Sequence, residues 1–381
     1  MLSFDELLAP ITLRQFRDEY LGRKPLHIPA GANREKRALL DWGALNHLLD
    51  QSAIWTGQTL RLIHNRVAVP HWEYCQLKSV PSGGQVYRPC PDKVEVFLAQ
   101  GASLVANELQ TLHPRIARTA ALLSRAFAAQ IGANVYCSFK DVQAFGPHYD
   151  NHDVFAVQTE GEKIWRIYEN QIEMPVDLPP DTPETRQWLE QACGPVMSEI
   201  RMQPGDVLYL PRGRFHDALA VDGASLHVTF SVTALYGRIL FSLLDSAAMQ
   251  FPAFRAYFPP AAEGAGKPLA AHLARLGAML SDLVSSPAFL DEVVMSQERL
   301  VTRPASFTLP EQPVLTSFKI TGRAFPAAGT AVQLAYDWCA AQGRFSLEQI
   351  LAEFDFIEAA GLRQAIDDAL ASGALVRLST T

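Results

Sequence analysis

Two histidines and an aspartate carry the most chemical information in this chain. The run Gly146-Pro147-His148-Tyr149-Asp150 contains an HxD triplet. A third candidate ligand, His216, lies 68 residues beyond His148, after the turn signals Pro204-Gly205-Asp206 and Pro211-Arg212-Gly213. Side chains two apart on an extended chain face the same side, so His148 and Asp150 can converge on one ion. Two neutral imidazoles and one carboxylate on one face of a divalent metal leave the opposite face open, the arrangement that suits a non-haem ferrous centre. An HxD triplet alone arises often by chance; followed by a strand, a PGD turn and a distal histidine, it is far more specific. His152 and Asp153 compete with the triplet, and His227, inside a β-rich run, rivals His216. The position of His216 directly after a turn favours it, and His152 reads as a surface or substrate-pocket residue.

Lys163 is the next candidate. Val154 to Gln158 reads as a strand, Thr159-Glu160-Gly161-Glu162 as a turn, and Lys163 as the start of a return strand through Tyr168, with Trp165 as core packing. A cation projecting into a low-dielectric pocket would pair strongly with a carboxylate. The bland alternative is a solvated lysine beside a turn.

The elements that must position these residues follow from pattern. Short β-rich runs at 134–139, 154–158, 164–168, 198–202, 206–210 and 226–232 predict a jelly-roll sandwich or barrel. Ahead of them, 13–20, 42–49 and an amphipathic stretch at 109–131 read as helices, with loops and edge strands over 61–95. After Thr233 the periodicity turns helical, at 238–249 and 269–284. From about 305 come three further helices, one opened by the capping box Ser346-Leu347-Glu348-Gln349, and a strand at 374–378.

Composition narrows the class. At 381 residues, two or three domains are expected. With 48% hydrophobic and 19% charged residues the chain is that of an ordinary globular protein. A formal net charge of -7 argues against a protein built to grip phosphate backbones, so no direct nucleic-acid partner is expected. No apolar run is long enough to span a bilayer, and the N-terminus lacks the pattern of a signal peptide. Five scattered cysteines without a CxxC pair argue against a disulfide framework or structural zinc, and for a cytoplasmic location.

These residues resemble the JmjC-domain oxygenases, and within them the ribosomal oxygenase branch of arginine and histidine hydroxylases. The likeness runs from Gly132-Ala133-Asn134-Val135-Tyr136 through His148-Tyr149-Asp150 and Glu160-Gly161-Glu162-Lys163-Ile164-Trp165, then resumes from Pro204 to His216. Gly22-Arg23-Lys24-Pro25-Leu26 is similar to the family's N-terminal signature. The likeness is close over about 130–235 and looser elsewhere. It implies an α+β chain: a double-stranded β-helix of the JmjC/cupin kind over 1–235 (core about 95–235), a helical dimerisation region over 236–304, and a winged helix over 305–381. By position it implies that His148, Asp150 and His216 bind Fe(II). Lys163 would hold the far carboxylate of 2-oxoglutarate, and Asn134, Tyr136 and Thr229 would line the same pocket. The implied activity is hydroxylation of a protein side chain, the substrate being a ribosomal protein and the enzyme a homodimer. Asp141, Asp153 and Asp217 are candidates to receive a basic substrate side chain. The rival readings are an oxygenase of a peptide natural product or small molecule, and a metal-binding cupin without turnover. Lys163 speaks against the last, since a metal store needs no carboxylate clamp.

Overall fold

The computed structural model describes residues 2–80, 83–139, 142–304 and 314–378. The chain divides into two units, Met1–Thr233 and Ala234–Thr381.

The first unit is organised by two long antiparallel strands, Asp153–Gln171 and Arg214–Ala234. They stand at the centre of a nine-stranded sheet. On one side Asp153–Gln171 pairs with Val207–Leu210, and that strand with Leu26–Ile28. On the other side, Arg214–Ala234 is followed in order by Ala129–Ser138, Ser103–Ala106, Leu60–His64 and Val67–Ala68. Val196–Met202 pairs with the distal half of Asp153–Gln171.

The apolar run Val154–Val157 is continuous because both of its faces are covered. Phe155 and Val157 pack into the large core beneath the N-terminal helices, with Leu7, Leu8 and Phe16. Val154 and Ala156 face the opposite cluster, with Trp165, Ile167 and Leu208.

Thr159–Glu162 is not the hairpin turn expected from its composition. The chain bends there but continues in one strand, first along Val207–Leu210 and then along Val196–Met202. Local hydrogen bonds hold the bend: Thr159 Oγ1 donates to Leu226 O, and Gln158 Nε2 to Glu160 O and Ser225 Oγ. Gly161 makes it possible, with φ of +61° and a missing Cβ that would meet Ala224 O at 2.0 Å.

The amphipathic stretch at 109–131 is likewise not one helix. A 3-10 turn at Leu109–Thr111 precedes the helix Pro114–Phe127, which starts at a proline suited to its first position. Ala128, in the left-handed region, ends it and releases the chain into Ala129–Ser138. The region 61–95 also holds a helix, Pro91–Ala99, beside the hairpin Cys75–Ser79/Gln85–Pro89.

The PGD turn ties the N-terminal segment to the sheet. The Asp206 carboxylate accepts from Ala30 N at 2.8 Å, Gln203 N at 3.0 Å and His27 Nε2–H at 2.9 Å. Gly22 N donates to Tyr209 Oη at 2.8 Å nearby. Asp206→Ala would remove the shared acceptor of three part-buried hydrogen bonds, so a loss of about 2–4 kcal/mol of stability is expected. Chemical denaturation checks it, and a change under 1 kcal/mol would contradict the role.

In the second unit, helices Ile239–Ala248, Lys267–Val284 and Pro287–Glu298 precede a separate core. That core joins helices Thr330–Gln342, Leu347–Glu353 and Ala359–Ala371 to a sheet of Ser317–Ile320, Arg344–Ser346 and Leu375–Arg377. The capping box at Ser346 and Gln349 is formed. Among the described residues no helix is long and apolar enough to cross a membrane.

Candidate metal centre

His148 and His216 are held opposite each other by the backbone. His148 N donates to His216 O at 3.0 Å, and His216 N donates back to His148 O at 2.8 Å. Two residues on, Gly213 N donates to Asp150 O at 2.8 Å. The HxD segment is thereby stitched to the start of Arg214–Ala234, and the spacing between the motifs is absorbed by three strands, Asp153–Gln171, Val196–Met202 and Val207–Leu210, and the helix Pro183–Ala192.

The ligand atoms of His148, Asp150 and His216 lie within 4.8 Å of one another. His216 Nε2 is 3.6 Å from Asp150 Oδ2, and the imidazole centroids are 4.4 Å apart. Each imidazole has its tautomer set. His148 Nδ1–H donates to Gly146 O and His216 Nδ1–H to Arg214 O, both at 2.9 Å. Both Nε2 lone pairs are therefore left for an ion, the outer hydrogen bonding that orients histidine ligands in metal sites. Burial and the neighbouring His148 hold His216 neutral, its pKa pushed down to about 4. Burial opposes ionisation of Asp150, but His152, His216 and His148 outweigh it and keep the carboxyl below its ordinary range. Two neutral nitrogens and a carboxylate fit ferrous iron.

Gly213 carries a share of this geometry. Its φ is +81°, and a Cβ there would lie 1.9 Å from Ile172 O. Gly213→Ala is expected to cost about 3 kcal/mol or more and to loosen Asp150. Metal titration of the purified variant checks this; wild-type affinity would contradict it.

A cavity of about 390 Å³ opens from the triad into the sheet. Lys163, Asn134, Tyr136 and Thr229 line it together with His148, Asp150 and His216. Lys163 is 2% exposed and, among the described residues, pairs with no carboxylate; its Nζ donates to Ser138 Oγ at 3.2 Å, itself 2.9 Å from Ser103 Oγ. Burial pushes its pKa down to about 8, with Cys137 working the other way. Thr229 Oγ1 and His227 Nδ1, buried in the same lining, have no hydrogen-bond partner among the described residues. A buried cation with unpartnered polar atoms around it is a site built for a polar anion.

The rival histidines are separated by the structure. His227 lies outside the triad, stacked on Tyr136 at 4.9 Å, and burial followed by the Lys163 charge drives its pKa well below the usual histidine range. His152 lines the cavity without joining the triad. Trp165 is more than core packing: it stacks on His216 at 5.7 Å and meets His227 edge-on at 5.4 Å. His227 and Trp165 were legible only through the two-residue alternation that places them beside Thr229 and Lys163. Asp153 and Asp217, expected to be candidates for a basic substrate side chain, sit away from the cavity lining. Asp153 accepts from Tyr209 Oη and Arg212 N, and Asp217 accepts from Tyr168 Oη. Asp141 lies outside the described residues.

Residues 106–239 match the JmjC domain family, a span holding every cavity-lining residue except Arg61. The segment that holds the triad and its cavity is thus similar to JmjC domains, and ribosomal oxygenases are among the proteins the chain is similar to. It is 27% identical over 260 residues to the bifunctional lysine-specific demethylase and histidyl-hydroxylase NO66 of Dictyostelium discoideum, covering 66% of this chain and 48% of that protein. It is 37% identical over 132 residues to ribosomal oxygenase 1 of Rattus norvegicus, covering 34% of this chain and 22% of that protein. The chain thus spans about half or less of the length of the curated relatives it matches. In fold it is similar to the Escherichia coli ribosomal oxygenase YcfD, with a TM-score of 0.51, 18% identity, and 97% of this chain and 98% of that one covered.

Proposed function

We propose that the protein is an Fe(II)- and 2-oxoglutarate-dependent oxygenase that hydroxylates a side chain of a protein substrate, a ribosomal protein in the first instance. The observation that carries this reading is the juxtaposition of the His148/Asp150/His216 triad with a buried, carboxylate-free lysine in one cavity. The relatives' names supply the substrate class, and a structure of YcfD contains cobalt and 2-oxoglutarate.

In this reading the iron, once bound with 2-oxoglutarate and dioxygen, supplies the oxidising chemistry that inserts oxygen into a C–H bond. The chain supplies the rest. His148, Asp150 and His216 hold the metal on one face. Lys163 holds the far carboxylate, with Thr229, Asn134, Tyr136 and His227 along the anion. Trp165 fixes the plane of His216 and excludes water behind it. The sheet closes as a double-stranded β-helix over 1–235, the segment 305–381 is a winged helix that does not read nucleic acid, and the protein is cytoplasmic. The segment 236–304 dimerises, supported by the exposed Phe241, Met249, Tyr257 and Phe258 on and between its helices; a solution mass of one chain would contradict that.

The test is succinate release from 2-oxoglutarate under Fe(II), assayed against ribosomal proteins with mass detection of a 16 Da gain. Turnover only with a small molecule or peptide natural product would redirect the substrate assignment, and metal binding without any turnover would leave a non-catalytic cupin.

The pH dependence follows from Lys163. Its protonated form binds the anion, so affinity for 2-oxoglutarate is expected to be level below about pH 8 and to fall above it. The folded-state pKa is depressed, so the stability of the ligand-free protein should rise over the same range, up to the unfolded lysine value of about 10.4. Lys163→Arg should flatten the binding profile. A wild-type affinity that is flat to pH 10 would contradict the clamp.

A further inference from the structure

Arg61 stands where three cavities meet. It lines the triad's cavity, a vestibule of about 340 Å³ that shares His148 and Asp150 with it, and a third cleft beside His71. The strand explains the position: Leu60 and Leu62 of Leu60–His64 are buried in the core, so Arg61 between them faces the other way. Across the sheet it is level with Val105, and Val105 with Tyr136 of the cavity wall.

The charges around it are otherwise answered. In the vestibule Arg66 pairs with Glu190 at 3.1 Å and Arg186 with Asp181 at 2.7 Å. In the inner cavity, on the reading proposed above, a ferrous ion, Asp150, dianionic 2-oxoglutarate and Lys163 sum to zero. The Arg61 side chain makes no hydrogen bond or ion pair with any described residue and leaves one positive charge over. That charge lies where the linings of triad cavity, vestibule and cleft converge, and Phe145 and Leu178 form an apolar wall common to the first two.

We propose that Arg61 is a specificity-determining residue that receives the carboxylate of an aspartate or glutamate next to the hydroxylated residue of the peptide substrate. The proposal rests on the oxygenase reading. A planar guanidinium accepts a carboxylate bidentately, fixing the register of an extended peptide as well as attracting it. The preference is set at the mouth, outside the metal and cosubstrate contacts.

The test uses the full chain loaded with Mn(II) and N-oxalylglycine, an inert analogue of the cosubstrate. It is offered immobilised degenerate peptides in which one position is fixed as Glu, Gln or Lys. The wild-type protein is expected to retain Glu over Lys by about tenfold at one position. Arg61→Glu should reverse the order and Arg61→Gln level it, with N-oxalylglycine affinity within about twofold of wild type. Wild-type protein that binds N-oxalylglycine but shows no acidic preference would overturn the proposal alone. So would an Arg61→Glu variant that keeps the wild-type preference, or one that loses N-oxalylglycine while its peptide preference stands, which would assign the cation to the cosubstrate. Failure of the wild-type protein to bind Mn(II) and N-oxalylglycine at all would overturn the oxygenase reading, and this proposal with it.

Discussion

His148→Ala is expected to abolish turnover while leaving the fold intact. The side chain is one of three donors, and its Nε2 is left free by the Nδ1–H bond to Gly146 O. Its contribution to the fold is through the backbone, in the reciprocal pair with His216, which alanine preserves. Even the groups that merely orient a metal ligand are worth about 10–100-fold in affinity, so losing a ligand should weaken Fe(II) by more than about 100-fold. Far-UV circular dichroism and the unfolding midpoint should stay close to wild type. His152→Ala and His227→Ala supply the contrast. Both residues line the same cavity, both stand outside the triad, and both variants should retain metal. Equal losses of metal from all three variants would mean that the geometry does not single out the ligands.

Lys163→Met should make the ligand-free protein more stable and the cosubstrate complex far weaker. An ammonium at 2% exposure with a single hydroxyl partner opposes folding, and an apolar side chain of similar length removes that cost, a gain of about 1–3 kcal/mol. The same change deletes, among the described residues, the one lysine or arginine besides Arg61 that lines the cavity. Losing a charge-assisted contact of about 3 kcal/mol should raise the Kd for 2-oxoglutarate by roughly 100-fold. The opposite signs separate function from structure. A variant less stable than wild type with unchanged cosubstrate affinity would make Lys163 a packing residue.

How much of this was legible in the sequence depended on the distance over which each signal acts. The HxD triplet and the histidine after the PGD and PRG turns are local patterns, and the structure brings them to one point through a single backbone bridge. Lys163 was found for a partly mistaken reason. The composition Thr159-Glu160-Gly161-Glu162 reads as a hairpin, whereas the chain runs on in one strand, because the bend is fixed by Ala224 and Ser225, which no local pattern reveals. The bend shifts the alternation by one residue, so Lys163 and Trp165 share the inner face with Val154 and Ala156. An acid near a motif looks available in sequence, and only the fold shows Tyr209 and Arg212 bonded to Asp153 and Tyr168 to Asp217. Arg61 was invisible. It belongs to an ordinary alternating strand, and only the order Leu60–His64, Ser103–Ala106, Ala129–Ser138 carries it to the mouth of the site.

The central claim is that three side chains share one ion. Crystals grown anaerobically with Fe(II) and 2-oxoglutarate, measured at the iron absorption edge, test it most directly. One anomalous peak is expected about 2.0–2.2 Å from Nε2 of His148, Nε2 of His216 and an Asp150 oxygen, with the cosubstrate's far carboxylate on Lys163 Nζ. A peak away from those atoms, or ligated by His152 or His227 in place of either histidine, would contradict it.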